Sequence, residues 1–346
     1  MDIDRGGVVA AVDANDSTRF GPEVVAKLVR ASKGSVDRAA TALAAFDVVI
    51  LQHEFGIYGG DDGSEVLDLV ERLDAPILVV LHTVLRSPSS RQRMIVETLA
   101  RASRTVIVQS EAARVCLFEA HELDPERVRV VPHGAPRNVL PTADRRSRRR
   151  PVVLTWGLLG KGKGIEYAIE ELTFLRDLAP SPRYVIHGRT HPRVVARDGE
   201  AYRERLQAQA HTLGVADLVE FDNRYVDRES VLTWIREADV VVMPYRSRDQ
   251  VVSGVLVEAI ASGKPVVATR FPHAVELLAA GSGILVPHED PAAIAAALRQ
   301  LLTNEAAAEH ARAVARRQAP QFFWENVGAA YTDLCIALTS TAETTS

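Results

Sequence analysis

Short apolar runs alternate with longer amphipathic stretches along the whole chain. The runs are rich in valine and isoleucine, which is typical of β-strands. The predicted strands of the first half are Val8–Val12, Val48–Gln52, Ile77–Leu81, Val106–Gln109 and Val128–Val131. The predicted helices of this half are Val36–Ala45, Ser64–Arg72, Arg91–Ala102 and Glu111–Ala120. Nearly continuous apolar strands separated by helices predict a parallel sheet that helices cover on both faces.

The same alternation restarts after an arginine-rich segment near residues 141–150. The predicted strands of the second half are Val152–Trp156, Tyr184–His187, Val219–Phe221, Val240–Pro244 and Pro265–Thr269. Helices are predicted to begin at Ile165, Glu200, Ser230 and Ser253, and residues 291–338 have a helical, alanine-rich pattern. We therefore expect an α/β protein of two doubly wound, Rossmann-like domains.

Composition narrows the class of protein. The chain has 346 residues, 47% of them apolar and 25% charged, which is typical of a globular protein. Its longest apolar runs are too short for a transmembrane helix. Two cysteines exclude a disulfide scaffold or a four-cysteine metal site, and they fit a reducing cytoplasm. A net charge of −4 argues against general nucleic-acid binding.

Two clusters of arginine depart from this acidic balance. Arg145–Arg150 lies between prolines and is interpreted as a solvated linker. The second cluster surrounds the predicted helix Arg91–Ala102 and consists of Arg86, Arg91, Arg93, Arg101 and Arg104. It indicates either an ordinary solvated helix face or a weak patch for an anionic acceptor or for the inner face of a membrane.

Ligands of such sheets bind beyond the carboxyl ends of the strands, so the loops there are searched first. The first such loop is Gly157–Gly164, with the sequence GLLGKGKG. Its glycines let backbone amides approach an anion, and Lys163 adds a positive charge. The loop nearly fits a phosphate-binding GxxxxGK[ST] motif, but Gly164 replaces the hydroxyl residue that binds Mg²⁺. A nucleoside triphosphatase is therefore disfavoured, and an inert tight turn is the alternative.

The second such loop leads into the helix that is predicted from Ser253. Ser253 is a suitable N-cap, and the free amides of Gly254 and Val255 would face an anion. Glu258 lies one turn further, where a carboxylate accepts hydrogen bonds from a ligand diol without touching its phosphates. The alternative for Glu258 is a solvated helix residue, although its apolar neighbours indicate burial.

In the first half, polar and aromatic residues gather where two strands end. The candidates for the acceptor or sugar side are His53, Glu54, Phe55, Tyr58, Gly59 and Gly60. His82 and Thr83 follow the next strand. Single histidines are often structural, but two at neighbouring strand ends favour a site. His133, beside the linker, is interpreted as structural.

These loops together resemble the retaining GT-B glycosyltransferases of family 4 (glycosyl transferases group 1), and among them the mannosyltransferase-like branch. The resemblance covers about residues 45 to 335 and is strongest over Gln250–Thr269 and Gly281–Asp290. It implies that Glu258 binds the ribose, that Lys163 neutralises the diphosphate and that His82 lies near the donor sugar. The implied nucleotide and diphosphate ligands are Gly157, Lys163, Arg189, Arg224, Tyr225, Ser253, Gly254, Val255 and Glu258.

Three positions depart from the family pattern. Gln250 stands eight residues before Glu258, where the family has a first carboxylate, so a contact there with the sugar would be neutral. The implied catalytic residues are therefore Lys163, His82 and Gln250. Leu158 stands where the family often has an arginine, and Arg189 and Lys161 are the candidates to replace it. The first strand, glycine loop and helix of the family also have no counterpart in the opening sequence.

The resemblance implies a particular organisation. We expect an acceptor domain over residues 1–143, which lacks that first strand, loop and helix, and a nucleotide-sugar donor domain over 144–320, with the site in the cleft between them. A helix over 321–338 would cross back onto the first domain, and 339–346 would be a disordered tail.

The expected activity is transfer of a hexose, mannose by this resemblance, from a nucleotide diphosphate sugar such as GDP-mannose to a hydroxyl acceptor, with retention. No cofactor or metal is expected, because no carboxylate motif for a divalent ion occurs. The acceptor would be a polysaccharide, an oligosaccharide or a lipid-linked sugar, and the enzyme would act in the cytoplasm. The alternatives are a sugar phosphorylase of the same fold and a truncated or non-catalytic relative.

Overall fold

The computed structural model describes residues 6–138, 150–190, 192–224 and 227–343, without the side chains of residues 192, 193 and 341–343. The chain divides into two compact units. Unit 1 comprises the residues up to Pro132 together with those from Gly328 onward, and unit 2 is His133–Val327. Each unit has its own parallel sheet.

Among the described residues, unit 1 has six strands in two sheets. They are β1 (Val8–Val12), β2 (Val24–Val29), β3 (Val49–His53), β4 (Ile77–Leu81), β5 (Thr105–Val108) and β6 (Val128–Val130). The larger sheet has the order β3-β4-β5-β6 with parallel pairing throughout, and β1 pairs in parallel with β2. Every residue of β4 is buried, as expected for an inner strand that is covered on both faces.

Helices of unit 1 follow the strands. They are α1 (Lys33–Leu43), α2 (Val66–Val70), α3 (Ser90–Ala102) and α4 (Glu111–Ala120). α3 begins at a capping box in which Ser89 and Gln92 satisfy each other's backbone amides. Its residues Ile95 and Leu99 are buried, so the helix packs through one apolar stripe.

Unit 2 has a sheet of six parallel strands. They are β7 (Val152–Trp156), β8 (Arg183–His187), β9 (Val219–Asp222), β10 (Val240–Met243), β11 (Val266–Thr269) and β12 (Gly283–Val286). Their order is β12-β11-β10-β7-β8-β9. The chain thus builds outward from β7 on one side and then returns to its other side with β10. The carboxyl ends of β7 and β10 therefore form the switch point, where α/β sheets of this type bind ligands.

Helices cover both faces of the second sheet. They are α5 (Ile165–Glu170), α6 (Pro192–Asp198), α7 (Ala201–Thr212), α8 (Arg228–Glu237), α9 (Gly254–Ala261), α10 (Pro272–Leu278), α11 (Pro291–Thr303), α12 (Glu305–Gln318) and α13 (Trp324–Glu343), the last of which belongs to unit 1 from Gly328 onward. Successive residues of β7 alternate between two cores: Leu154 contributes to one and Val153 to the other.

The predicted strands and helices of both halves are present, with ends that differ by a few residues. The pattern missed β2, β12, α6 and α10. α6 begins at Pro192, in a stretch where the sequence pattern predicted no helix. The predicted disordered tail was also wrong at its start, because α13 continues to Glu343; residues 344–346 lie outside the described ranges.

The compact units also divide the chain differently from the sequence prediction. Backbone bonds join Ala135 to Phe322 and Trp324, and the side-chain amide of Asn138 donates to the carbonyl of Leu232 at 3.0 Å. Because of these contacts, residues from His133 onward belong to unit 2. The predicted boundary at residue 143 falls in a segment outside the described residues.

Among the helices that the structure describes, none has the length and apolar character needed to cross a membrane.

Candidate functional site

The loop after β7 lies against the loop after β8. Gly157 adopts a φ of 110°, and its N–H donates to the carbonyl of His187 at 3.0 Å. A methyl group added at Gly188 would overlap the carbonyl of Gly157, so the close approach requires glycine. The N–H of Leu159 donates to the carbonyl of Arg189 at 2.9 Å, which keeps the exposed Arg189 beside this loop.

The same loop also contacts the segment after β10, at the switch point. Gly164 has a φ of 61°, and a methyl group there would overlap the carbonyl of Pro244. The N–H of Arg246 donates to the carbonyl of Gly162 at 3.0 Å. These contacts join the two loops that the strand order brings together.

Lys163 lies at this junction, as the sequence predicted for a phosphate-binding lysine. Its Nζ donates to the hydroxyl of Tyr245 at 2.7 Å and lies 4.1 Å from the centre of the Tyr245 ring. Tyr245 is buried, so it offers the ammonium group a fixed and neutral support. The tyrosine was not foreseen from the sequence, because its position depends on the pairing of β7 with β10.

The amino end of α9 presents backbone amides at the same edge of the sheet. Ser253 is the N-cap, and its hydroxyl accepts from the N–H of Leu256 at 3.3 Å. Its own N–H donates to Nδ1 of the buried His273 at 2.8 Å. Gly254 and Val255 begin the helix, so their amides have no acceptor within it. A methyl group at Gly157 would lie 3.7 Å from Val255, which brings the first loop next to α9.

The carboxylate of Glu258 points toward β7. The indole N–H of Trp156 donates to Oε2 of Glu258 at 3.3 Å. Glu258 is half-buried and has this neutral partner, so it is not simply a solvated helix residue. Gln250 donates from Nε2 to the carbonyl of Val252 at 3.1 Å, and this bond lies within its own loop.

Arg224 and Asp222 form a bidentate pair after β9. Arg224 Nη2 lies 2.7 Å from Oδ2 of Asp222, and this bond lowers the pKa of the carboxyl. The Arg224 side chain is 74% exposed, and Tyr225 lies outside the described residues. A parallel stack of His187 on Trp234, with ring centres 3.5 Å apart, lies in the same unit. No sequence motif indicated this stack.

In unit 1, the ends of β3 and β4 are linked by two hydrogen bonds. His82 Nε2 lies 2.6 Å from Oε1 of Gln52, and the hydroxyl of Thr83 donates to Glu54. The hydroxyl of Tyr58 donates to the carbonyl of Gln52 at 2.8 Å. Glu54 and Tyr58, two of the residues predicted for the acceptor side, therefore lie with His82 and Thr83 in one polar cluster at this edge.

His53 occupies a different environment from its neighbours. Its side chain is fully buried, neither ring nitrogen has a hydrogen-bond partner, and its ring meets Phe55 edge-on at 5.0 Å. Burial lowers its pKa to about 4. A ligand at the surface does not reach this ring, and its role in acceptor binding stays a prediction. Gly59 and Gly60 form a turn that packs on Glu65.

The basic cluster around α3 is partly neutralised. Arg91 forms an ion pair with Asp61 at 2.7 Å, and Arg93 donates to the carbonyl of Ala120. Membrane contact through this face stays a prediction. In the linker cluster, residues 145–149 lie outside the described ranges, and Arg150 donates to the carbonyl of Ser181 at 3.1 Å.

Within the part of the chain that the structure describes, no group of three or more His, Cys, Asp or Glu side chains could hold a metal ion. Metal independence stays a prediction. The candidate residues thus form two sets. One lies at the switch point of unit 2, and the other at the carboxyl ends of β3 and β4 in unit 1.

A doubly wound parallel sheet, with glycine turns and a helix amino end at its switch point, is typical of proteins that bind nucleotides. The family model described as glycosyl transferases group 1 matches residues 150–304. This range contains the whole switch point, from β7 to α11.

Known proteins resemble the chain over most of its length. A D-inositol 3-phosphate glycosyltransferase of Geodermatophilus obscurus is 32% identical over 332 residues, which are 84% of this chain and 70% of the relative. One of Jonesia denitrificans is 32% identical over 292 residues, which are 74% of this chain and 65% of the relative. The chain thus spans a little under two thirds of the Jonesia protein.

The structure of Anabaena Alr3699/HepE in complex with UDP and glucose aligns with a TM-score of 0.72 at 19% identity, over 92% of this chain and 86% of that chain. The chain therefore has the GT-B fold that the sequence predicted, with Rossmann-like parallel sheets. It belongs to the group 1 glycosyltransferases. The mannosyltransferase-like branch is not shown, because the relatives are named for D-inositol 3-phosphate.

Proposed function

We propose that this protein transfers a hexose from a nucleotide diphosphate sugar to a hydroxyl acceptor, with retention of configuration and without a metal. The observation that supports this most is the junction at the switch point. There the loops of Gly157 and Lys163 meet the amino end of α9, one turn before Glu258.

The donor would lie across this junction. Its diphosphate would accept hydrogen bonds from the amides of Gly254 and Val255, where the dipole of α9 also favours negative charge. Lys163 would exchange its bond to Tyr245 for a phosphate oxygen. Glu258 would accept hydrogen bonds from the ribose hydroxyls. These offer the carboxylate more donors than the single indole N–H of Trp156 does.

Catalysis would consist mainly of stabilising the departing diphosphate. The bond from the sugar C1 to the phosphate oxygen breaks while the acceptor hydroxyl attacks the same face of the sugar. The hydroxyl proton passes to the departing phosphate oxygen, so no protein base is required. Gln250 would contact the sugar as a neutral group. By the family resemblance, His82 of unit 1 would contact the donor sugar.

We expect GDP-mannose as the donor, following the family resemblance. Arg224 would lie beside the base, and Arg189 would add charge near the diphosphate. The acceptor would bind through the polar cluster of Glu54 and Thr83, and the reaction would take place in the cytoplasm. Acceptors to compare are oligosaccharides, lipid-linked sugars and, because of the relatives' names, inositol phosphate.

A ligand screen tests this proposal. The melting temperature of the full chain is measured with GDP, UDP, ADP and their hexose conjugates. A ligand present at 100 times its dissociation constant adds about 2.7 kcal/mol to stability. Conjugates that stabilise the protein are then incubated with the acceptors, and the anomeric configuration of the product is read by NMR.

Three outcomes would contradict the proposal. Release of sugar 1-phosphate with inorganic phosphate alone would indicate a phosphorylase. Binding of a nucleotide sugar without hydrolysis or transfer would indicate a non-catalytic relative. An inverted product would overturn retention while leaving transfer intact.

A further inference from the structure

His133 lies beside the amino end of α9, at the edge of the proposed donor site. Its side chain is half-buried. A methyl group added at Gly254 would come within 3.0 Å of Nε2 of His133. That is closer than ordinary contact, so the glycine leaves the space in which the edge of the imidazole lies.

The backbone around His133 is fixed by the start of α13. A methyl group at Gly134 would overlap the indole of Trp324, and the N–H of Trp324 donates to the carbonyl of Ala135 at 3.1 Å. The indole centre lies 6.2 Å from that of the imidazole. The ring of His133 is therefore backed by an aromatic side chain on a closely packed turn.

The hydrogen bond of the ring also fixes which nitrogen faces α9. Nδ1 of His133 lies 2.8 Å from the carbonyl oxygen of Gly134. A carbonyl oxygen only accepts, so Nδ1 carries a hydrogen. Nε2 then faces Gly254, as a lone pair in the neutral ring and as an N–H donor in the charged ring.

The groups around Nε2 are suited to an anion. The amides of Gly254 and Val255 have no acceptor within α9, whose dipole makes this end positive. His273 uses its Nδ1 to accept from Ser253 and brings no negative charge. Nε2 of His133 and the first amides of α9 are therefore neighbours at the positive end of this helix.

We propose that His133 donates from Nε2–H to an oxygen of the phosphate that is attached to the sugar, the imidazole taking up a proton from solvent when this anion binds. This inference rests on the proposed function and deepens it. When the C1–O bond to that phosphate breaks and the bond from C1 to the acceptor oxygen forms, the acceptor proton passes to the departing phosphate. His133 keeps its own proton and stabilises the negative charge of the leaving group.

Nucleotide binding tests this contact. Dissociation constants of the full chain for GDP, GMP, UDP and UMP are measured by calorimetry, for the wild type, His133→Ala and His133→Gln. Only the diphosphates contain the phosphate in question. We expect His133→Ala to weaken diphosphate binding about tenfold to hundredfold, as for the loss of one hydrogen bond to a charged group. Monophosphate binding stays unchanged, kcat falls, and glutamine recovers part of the loss.

Two further variants separate binding from structure. His211→Ala removes an exposed histidine of α7 and should change nothing. Gly254→Ala should weaken diphosphate binding while His133 is still present, because the added methyl displaces the ring.

Each other outcome overturns the inference in a different way. An equal loss of monophosphate and diphosphate binding, with a lower melting temperature, would assign His133 a purely structural role. Unchanged diphosphate binding in His133→Ala would remove the contact while leaving the proposed function intact. A wild type that binds no nucleoside diphosphate would overturn the proposed function, and the inference with it.

Discussion

Lys163 and Glu258 each have an aromatic partner in unit 2. Lys163 Nζ bonds to Tyr245 at 2.7 Å, and Glu258 accepts from Trp156 at 3.3 Å. Both partners are neutral, so a phosphate or a ribose competes with them easily. Sequence motifs located Lys163 and Glu258, because glycine spacing and helix capping are local signals. They could not locate Tyr245 or Trp156, because these contacts depend on neighbouring strands.

The two residues should affect different kinetic constants. Lys163→Ala should lower kcat about a hundredfold, because in the proposed mechanism the lysine stabilises charge that develops in the transition state. Glu258→Ala should mainly raise the KM for the donor. Lys33→Ala is the control, since Lys33 is an exposed lysine at the start of α1 in unit 1. Donor turnover that both active-site variants leave unchanged would contradict the assigned roles.

Glu171 is a buried carboxyl outside the candidate site. It is fully buried, neither carboxylate oxygen has a hydrogen-bond partner, and burial raises its pKa well above the usual 4.5. Because the folded protein holds this proton more tightly, stability is lost as the pH rises above about 4.5.

Replacement of this carboxyl should therefore stabilise the protein at neutral pH. We expect Glu171→Gln to raise the free energy of unfolding by more than 1 kcal/mol at pH 8, at about 1.4 kcal/mol per unit of raised pKa, and to have little effect at pH 4. Urea denaturation at both pH values measures this. Glu204→Gln, at an exposed position of α7, should have no effect at either; an equal effect of Glu171→Gln at both would contradict the explanation.

At the level of elements, the contact between the loops after β7 and β10 depends on Gly164. Its φ of 61° favours glycine, and an added methyl group would also overlap the carbonyl of Pro244. Gly214 has a similar φ of 67° and open space around it. Alanine substitutions at the two glycines therefore distinguish the effect of backbone strain from that of steric overlap.

Alanine should lower the free energy of unfolding by different amounts at the two positions. Gly214→Ala should destabilise the protein by about 1 kcal/mol, the cost of the left-handed conformation alone. Gly164→Ala should destabilise the protein by clearly more than this. It should also weaken nucleotide binding, because the loop must move. Thermal unfolding and nucleotide titration of both variants measure this. Equal effects of the two substitutions would show that the overlap is relieved without cost.

The pattern of apolar residues predicted elements best where burial is complete. β4 and β7 are buried on both faces, and α3 has one apolar stripe with a capping signal; each was located within a residue or two. β2 was missed because VVAKLV is interrupted by Lys27 and is partly exposed. α6 and α10 were missed because each begins at a proline. Proline is disfavoured within helices, but it is well suited to their first turn.

At the level of the whole molecule, buried histidines in both units resist protonation. Burial lowers the pKa of His53, in unit 1, to about 4, and that of His273, in unit 2, to about 4 as well. The unfolded chain binds these protons near pH 6.5. Stability should therefore be lost as the pH falls from about 6.5 to 4, by up to about 1.4 kcal/mol per pH unit for each histidine.

Single substitutions should separate the two contributions. His53→Gln and His273→Gln should each flatten the decrease of stability between pH 6.5 and 4, whatever their effect at pH 7. His211→Ala, which removes an exposed histidine, should leave the pH dependence as it is. Chemical denaturation across this range measures the slopes; slopes equal to that of the wild type in both variants would contradict the prediction.

The ends of unit 2 lie close to each other. Ala135 exchanges backbone bonds with Phe322 and Trp324, so His133 and Val327 lie only a few residues from one shared contact. Unit 2 is therefore one continuous segment of the chain whose two ends adjoin, a topology that tolerates circular permutation. A permuted unit 2, closed by a short linker from Val327 to His133 and opened at the exposed turn near Gly214, should keep its sheet. Recombination that exchanges residues His133–Val327 would likewise transfer unit 2 as one piece.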